Sequence, residues 1–302
     1  DSFSFYTISY GIRNVSDIKL KIPFLNSSLP LPLLVAPMGA MSQYHEDGEA
    51  EMASGVEKTQ TIMCVSTNTR ISLKDIRKQA PNARLVWQLY FYGDRDWIKN
   101  QIDDAIKYNC EAICVCVDAP TRPVRYLDRE TRYDARKIGR QTNIAAPDNS
   151  KNAHLTWDDF NWLRSVVTEL PLWIKGIMTP EDAFLSVKHG ANLIWVSNHG
   201  GRQLDSGLAT LEVIEEIRAV VGMETPIILD GGIRTGSDIL KALALGADVI
   251  AIGRPAIYGL IAGGRNGVKR VFDLYREELI SCMAMCGLRE ISEIDRNYVR
   301  IK

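Results

Sequence analysis

Residues 226–254, PIILDGGIRTGSDILKALALGADVIAIGR, contain the pattern that decides the fold. A short apolar run at 226–230 is followed by a helical pattern at 236–245 and by a second apolar run at 248–252. Two short apolar runs joined by one helix are typical of parallel strands, because parallel strands need a crossover connection between them. The segment therefore predicts one β-α-β unit.

The same alternation extends back along the chain to residue 33. Further apolar runs predict strands at 33–36, 61–65, 85–90, 112–117, 172–175 and 193–197. Helical patterns lie between the runs, for example at 96–107, 156–167, 180–188 and 208–220. Eight β-then-α units in sequence predict an α/β fold, the (β/α)8 TIM barrel. The rival fold, a doubly wound open sheet, normally carries G-x-G-x-x-G after its first strand, and no such motif follows residue 36.

Two segments depart from the alternation within what we predict to be a single domain over residues 1–302. Residues 1–30 contain no crossover unit, and we expect them to cover the barrel bottom as a short lid or hairpin. Residues 119–155 are polar, rich in arginine and long for a connection between a strand and its helix. Loops of this length are often active-site lids, which is the prediction here.

The composition excludes several classes of protein. The 36 basic and 37 acidic residues leave no net field that would attract nucleic acid or an anionic membrane. No segment approaches the roughly 18 consecutive apolar residues of a membrane span. The first residues show neither the basic nor the apolar region of a secretory signal, so a cytoplasmic location is the expectation.

The cysteine spacing argues against a disulfide framework and against a metal site. The six cysteines are Cys64, Cys110, Cys114, Cys116, Cys282 and Cys286. None forms a C-x-x-C pair, and the four histidines are not spaced with them as zinc ligands. Free, reduced thiols and no metal are therefore expected.

A histidine and an arginine follow the predicted strand at 193–197. Within SNHGGRQLD, residues 197–205, His199 and Arg202 lie three positions apart on a glycine-containing turn. A titratable base beside a fixed cation suits proton abstraction from an anionic substrate, because the guanidinium can hold a carboxylate. On spacing alone, a loop histidine and a surface arginine remain an equally good interpretation.

Other polar groups and glycines collect where the predicted strands end, which is the functional face of this fold. The glycine-rich stretch DGGIRTG at 230–236 and GRP at 253–255 follow the last two strands, the usual phosphate site of such barrels. Arg234 and Arg254 would add charge-assisted hydrogen bonds. This pattern predicts a phosphate-bearing ligand, and it fits FMN enzymes, nucleotide-processing barrels and sugar-phosphate barrels alike.

Blocks of sequence in the same order and spacing resemble one family, the FMN-dependent α-hydroxy-acid oxidases and dehydrogenases, which include glycolate oxidase, lactate oxidase and mandelate dehydrogenase. The blocks are LLVAPMGAM, TIMCVS, WQLYFYGDRD, CVDAPTRPVR, LPLWIKGI, WVSNHGGRQLD and ILDGGIRTGSDILKALALGADVIAIGRP. The resemblance implies an FMN enzyme that oxidises an L-2-hydroxy acid to the 2-keto acid, with O2 or another acceptor as oxidant. By analogy it also implies a homo-oligomer, often a tetramer.

The resemblance assigns cofactor contacts to the strand ends. It implies that Pro37, Met38 and Gly39 pass the flavin N5 edge, and that Ser66 and Gln88 bond the isoalloxazine. Lys175 would lie by N1 and O2, and Cys116 stands where the family usually has a threonine near O2 or N3. The groups assigned to the ribityl chain and phosphate are Ser197, Asp230, Gly232, Arg234, Gly253 and Arg254.

On the substrate side, the resemblance implies that Arg125 and Arg202 bind the carboxylate and that Tyr90 donates to the substrate oxygen. His199 would be the base, and Asp118 would orient its ring and stabilise the imidazolium. Arg122 is an extra cation nearby.

Several positions depart from the family pattern. Gly39 replaces the alanine of several oxidases, and Asn68 replaces the tryptophan of glycolate oxidase. The family's N-terminal tyrosine that binds the carboxylate has no counterpart in this sequence. Two alternatives therefore stay open: another flavin- or phosphate-binding barrel enzyme, such as an isomerase or a nucleotide dehydrogenase, and a barrel that binds flavin without catalysis.

Overall fold

A computed structural model describes residues 2–121, 123–125, 130–131 and 149–301. Three short strands precede the barrel: β1 (Tyr6–Ile8), β2 (Ile22–Phe24) and β3 (Ser27–Leu29). The barrel strands are β4 (Leu33–Val35), β5 (Ile62–Ser66), β6 (Arg84–Leu89), β7 (Ile113–Cys116), β8 (Leu172–Ile177), β9 (Leu193–Val196), β10 (Ile227–Asp230) and β11 (Val249–Ile252). Near the C-terminus, β12 (Val299–Ile301) pairs antiparallel with β1.

The eight barrel strands pair in parallel and in chain order, and β11 closes the ring by pairing with β4. The predicted (β/α)8 barrel is therefore confirmed. The predicted strand ends lie within two residues of the observed ones. The strands are buried along nearly their whole length, as expected for parallel strands covered by helices on the outside.

The outer helices of the described residues are α1 (Gly48–Thr59), α2 (Leu73–Gln79), α3 (Arg95–Lys107), α4 (Trp157–Val166), α5 (Pro180–Lys188), α6 (Thr210–Val221), α7 (Gly236–Ala244) and α8 (Arg254–Cys286). Several begin at a residue whose side chain accepts a hydrogen bond from the third helical N–H, which caps the helix. These capping residues are Ser72, Asp94, Thr156, Thr179 and Thr235. None of the described helices is both long and apolar enough to cross a membrane.

The β2–β3 hairpin lies against the N-terminal ends of the barrel strands. Arg84, the first residue of β6, donates from Nη1 to the Ser28 carbonyl oxygen at 2.7 Å. The Phe24 ring meets the buried Trp173 ring edge-on, with 5.9 Å between centroids. Much of the predicted lid loop lies outside the described residues, so the division of the chain into one domain with a cover segment and a lid stays a prediction.

Helix α8 is interrupted at Gly263 and Gly264, and its two halves contact each other closely. A Cβ atom on Gly267 would lie 2.0 Å from the Gly259 carbonyl oxygen, so only glycine permits this approach. Just past the break, the Arg265 guanidinium pairs with the mostly buried Glu51 of α1, with 2.6 Å between Nη2 and Oε2. The hydrogen bond from Arg265 lowers the pKa of Glu51, against the opposing effect of burial.

We expect Gly267→Ala to lower the free energy of unfolding by about 1–3 kcal/mol, because the new methyl group must push a backbone carbonyl away. Urea unfolding measures the change. Gly207→Ala is the matched control, since its Cβ would find the nearest atom only at 3.8 Å. Equal stability of the two variants would contradict the close-contact interpretation.

Candidate active site

The parallel strands bring the predicted site residues to one end of the barrel, which we call the barrel mouth. Ser66, Cys116 and Asp230 are the last residues of β5, β7 and β10. Gln88 and Lys175 lie near the ends of β6 and β8, and the others follow a strand directly or within a few residues. These others are Pro37, Met38, Gly39, Tyr90, Asp118, Ser197, His199, Gly232, Gly253 and Arg254.

A buried ammonium group lies at the centre of the barrel mouth. Lys175 is 3% exposed, and its Nζ donates to Ser197 Oγ at 2.7 Å. Two carboxylates flank it, with Asp230 Oδ2 at 3.6 Å and Asp118 Oδ2 at 3.8 Å. Burial alone would lower the pKa of Lys175, but the charges of Asp230 and Asp118 outweigh burial and hold it above its ordinary value. Lys175 is therefore a fixed positive charge.

Asp118 joins this cation to His199. The two side chains lie 2.9 Å apart, between Asp118 Oδ1 and His199 Nδ1. Burial raises the pKa of Asp118, but the charge of Lys175 and the hydrogen bond with His199 outweigh it and lower the pKa to about 2. An ionised carboxylate accepts only, so the proton of a neutral imidazole lies on Nδ1. Nε2 is then the ring nitrogen left to take a proton from a ligand.

The backbone around His199 is held in an unusual conformation. His199 has a φ of 59°, and Gly200 and Gly201 follow with φ values of 67° and 71°. The His199 amide donates to Ser197 Oγ at 3.1 Å, and Arg254 Nη2 donates to the Gly200 carbonyl oxygen at 3.1 Å. A non-glycine residue in the left-handed region is uncommon, so the loop after β9 sets the position of the imidazole.

Cys116 also donates to Asp118, with 3.0 Å between Sγ and Oδ1. Burial raises the pKa of the Cys116 thiol, so the group stays protonated at neutral pH. Asp118 Oδ1 therefore accepts from both a thiol and an imidazole. The two donors come from the ends of β7 and β9, which flank β8.

One unsatisfied donor marks the side of the mouth where a planar cofactor is predicted. Ser66 Oγ donates to Gln88 Oε1 at 2.8 Å, while Gln88 Nε2 is buried and has no hydrogen-bond partner among the described residues. An unpaired buried donor costs about 1–3 kcal/mol, which a ligand acceptor would recover. Tyr90 is buried and stacks on Tyr92 with 5.0 Å between ring centroids. Burial raises the pKa of Tyr90, so its hydroxyl keeps its proton.

A glycine turn and two arginines lie where a phosphate is predicted. Gly231 and Gly232 have φ values of 97° and 80°, a conformation that lets successive backbone N–H groups face an anion. Arg234 follows this turn, just before helix α7, and Arg254 is the first residue of helix α8. Asp230 accepts from Ser197 Oγ at 2.8 Å, which ties the turn to the centre of the mouth.

Two described arginines are assigned to the substrate carboxylate. Arg125 is half-buried, and Arg202 is exposed on the loop after β9. Arg122 lies outside the described residues. The roles given to all these residues stay predictions.

Two groups that support the site were not predicted from the sequence. Trp195 Nε1 donates to Asp230 Oδ2 at 2.9 Å, and Gln203 Nε2 donates to the Asp118 carbonyl oxygen at 3.0 Å. The alternation of a strand would have placed Trp195 on the same face as Ser197, two residues later. No sequence pattern indicates the contact of Gln203, because contacts made by loops do not recur at a fixed residue spacing.

Fold and site together define a (β/α)8 barrel that binds a phosphate-bearing cofactor beside a histidine–aspartate pair. The family described as FMN-dependent dehydrogenase matches residues 3–301. This chain belongs to that family, and FMN is its cofactor. The unpaired Gln88 amide, the buried Lys175 cation and the glycine turn at 231–232 fit the ring, its anionic reduced form and the phosphate, respectively.

The chain is similar to proteins that oxidise hydroxy acids. An L-lactate oxidase of Nostoc sp. is 38% identical over 95% of this chain and 84% of the relative. A peroxisomal (S)-2-hydroxyacid oxidase of Arabidopsis thaliana is 37% identical over 95% of this chain and 82% of the relative. The structure of a mandelate oxidase with (S)-2-phenylpropionate superposes with a TM-score of 0.90 at 31% identity, over 100% of this chain and 87% of that one.

The close approach of Asn68 leaves no room for a side chain at Gly39. A Cβ on Gly39 would lie 2.7 Å from Asn68 Cβ and 3.2 Å from the Asn68 carbonyl oxygen. We expect Gly39→Ala to lower the free energy of unfolding by about 1–3 kcal/mol. Urea unfolding measures this loss.

A double-mutant cycle tests whether the contact with Asn68 causes the loss of stability in Gly39→Ala. Asn68→Gly removes the clashing Cβ and should recover much of the loss, whereas the matched variant Asn68→Ala keeps that atom and should not. If Asn68→Gly and Asn68→Ala restored the stability of Gly39→Ala equally, the assigned contact would be contradicted.

Proposed function

We propose that this chain oxidises an L-2-hydroxy acid to the 2-keto acid and passes the electrons to O2. The substrate loses two hydrogens and O2 gains them as hydrogen peroxide, so the reaction balances. The 2.9 Å contact between Asp118 and His199, beside the buried Lys175, carries the proposal. The named activities of the similar oxidases support it.

Bound FMN supplies the two-electron acceptor for the substrate and the donor for O2. Ser66 and Gln88 would hydrogen-bond the edge of the ring, and Lys175 would stabilise a developing negative charge. The turn at 231–232, with Arg234 and Arg254, would bind the phosphate. Lys175 is suited to its role because it is already charged and fixed, so no reorganisation is needed when negative charge appears nearby.

His199 is the base of the proposed reaction. Its Nε2 takes one proton from the substrate, either from the α-carbon or from the hydroxyl group. Asp118 keeps the imidazole in the tautomer that leaves Nε2 free, and its negative charge stabilises the imidazolium that forms. The protonated Tyr90 donates to the substrate oxygen, and Arg125 and Arg202 bind the carboxylate.

The direct test is anaerobic mixing of the FMN-loaded protein with L-2-hydroxy acids, from glycolate and lactate to mandelate and longer chains. Loss of flavin absorbance with one member would support the reaction and identify the side chain. Fast recovery on adding air, with hydrogen peroxide formed, would support O2 as the acceptor, and slow recovery would favour another acceptor. No loss with any member would overturn the proposal.

We expect His199→Gln to bind FMN normally and to slow substrate-dependent flavin reduction by about 10²–10⁴-fold, the contribution of a positioned base. Stopped-flow absorbance measures the rate. His189→Gln is the matched control, because that histidine lies at the end of α5 and stacks on Trp157, on the outside of the barrel. Near-normal reduction by His199→Gln would refute the assigned role.

Arg202→Lys keeps the charge but loses the two-pronged hydrogen bond to a carboxylate. We expect the substrate concentration for half-maximal reduction to rise by roughly 10- to 100-fold, since a hydrogen bond to a charged group contributes about 1.5–3 kcal/mol. The same change at Arg270, which lies on the exposed side of α8, should have no effect. Unchanged half-saturation in Arg202→Lys would argue against carboxylate binding there.

We also propose a cytoplasmic homo-oligomer. All six cysteines are free, as is usual in a reducing compartment. Tyr258 and Ile261, three residues apart on α8, are 59% and 54% exposed, and apolar side chains on one helix face favour self-association. Light scattering of the purified protein measures the oligomeric state, and imaging of the tagged protein in its own cell gives the location.

A further inference from the structure

Cys116, Asp118 and His199 present three metal-binding atoms at the barrel mouth. A thiol sulfur, a carboxylate oxygen and an imidazole nitrogen all lie within 4.8 Å of one another. We propose that these three side chains bind a zinc-class divalent cation, and that the bound cation switches the enzyme off. The inhibitory part of this proposal rests on the proposed role of His199 as the base.

The ligand atoms are nearly at coordination distances. Asp118 Oδ1 lies 3.0 Å from Cys116 Sγ and 2.9 Å from His199 Nδ1. A tetrahedral zinc ion with ordinary bond lengths separates such atoms by about 3.4–3.6 Å. These two separations would widen by about 0.5 Å to admit the ion. The third, between the sulfur and the imidazole nitrogen, lies within 4.8 Å.

The chemistry of the set is selective. Sulfur, imidazole nitrogen and carboxylate oxygen together favour Zn²⁺, Cd²⁺ and Co²⁺ over Mg²⁺ and Ca²⁺, which prefer oxygen ligands alone. Three protein ligands leave a fourth position for water or for an oxygen of a hydroxy acid. Lys175 is the nearby cation that would repel the metal ion, since its Nζ lies 3.8 Å from Asp118 Oδ2. Its charge is offset by Asp230, 3.6 Å away, and Asp118 presents its other oxygen to the cation.

Metal binding changes which nitrogen of His199 carries the proton, and this removes the base. The cation replaces the thiol proton of Cys116, which is released, and takes the lone pair of His199 Nδ1. The proton that was on Nδ1 moves to Nε2, because a neutral imidazole carries one proton. Nε2 then has no lone pair to accept a proton from the substrate, so the base is lost.

Spacing along the chain predicted no metal site, because the ligands come from two strands and are 83 residues apart at the extremes, from 116 to 199. Only the barrel closure brings them together. The thiol is decisive, since a hydroxyl at position 116 would be a much weaker zinc ligand.

The test uses the FMN-loaded protein and three cations. Titration calorimetry with Zn²⁺ should give one site per chain, and Cd²⁺ should add a cadmium–thiolate absorption to the difference spectrum of the same flavoprotein. Mg²⁺ should do neither. Zn²⁺ should also block flavin reduction by the hydroxy acid, and EDTA should restore it.

Cys116→Ser should weaken Zn²⁺ binding by at least about 10-fold, the lower end of what loss of even an outer-shell partner costs, and should abolish the Cd²⁺ band. Its flavin reduction, taken relative to its own metal-free rate, should resist Zn²⁺. Cys282→Ser, the matched change at the more exposed thiol, should leave binding and inhibition unchanged.

Absence of the Cd²⁺ band, or equal Zn²⁺ binding in wild type and Cys116→Ser, would overturn the site. Binding without inhibition would overturn the switch. If no hydroxy acid reduces the flavin, the proposed function fails, but the Cd²⁺ and calorimetric measurements still decide whether the cation binds.

Discussion

The barrel mouth depends on one buried positive charge, the ammonium group of Lys175. An uncompensated cation at 3% exposure would be strongly destabilising, so the neighbouring strand ends supply compensating groups. Ser197 accepts a hydrogen bond from it at 2.7 Å, whereas the carboxylates of Asp230 and Asp118 stay at 3.6 and 3.8 Å. Lys175 is thus electrically balanced without being fully hydrogen-bonded. It keeps donor capacity for a ligand, and its charge keeps Asp118 ionised.

The backbone makes this arrangement possible at two points. Gly176 interrupts the regular pairing of β8 with β9 and has a φ of 108°. A Cβ there would lie 2.6 Å from Asp118 Cβ, so the glycine gives the carboxylate its place beside Lys175. The left-handed run from His199 to Gly201 then turns the imidazole back to that carboxylate. A hydrogen bond of 2.9 Å between the imidazole and the carboxylate therefore rests on backbone conformations that residues with a side chain rarely adopt.

The sequence predicted the strands well because most of them are short apolar runs that end at or just before glycine or a polar residue, as at 226–230 and 248–252. It also predicted that the residues at the strand ends gather at one end of the barrel, since parallel strands place all their C-terminal ends on one side. It did not predict contacts between distant segments, such as Glu51 with Arg265 or Gly39 with Asn68. Those contacts depend on how helices and loops pack after the barrel closes, and no periodicity in the sequence records them.

The thiol of Cys116 changes how Asp118 distributes its negative charge. Asp118 Oδ1 accepts from both Cys116 and His199, so the two donors compete for one oxygen. A thiol is a weak donor, and it withdraws less charge from the carboxylate than a hydroxyl at the same place would. More of that charge is left to face the imidazole of His199. The weak donor that leaves Asp118 its charge is also a soft ligand, so the same thiol exposes the proposed base to capture by a metal ion.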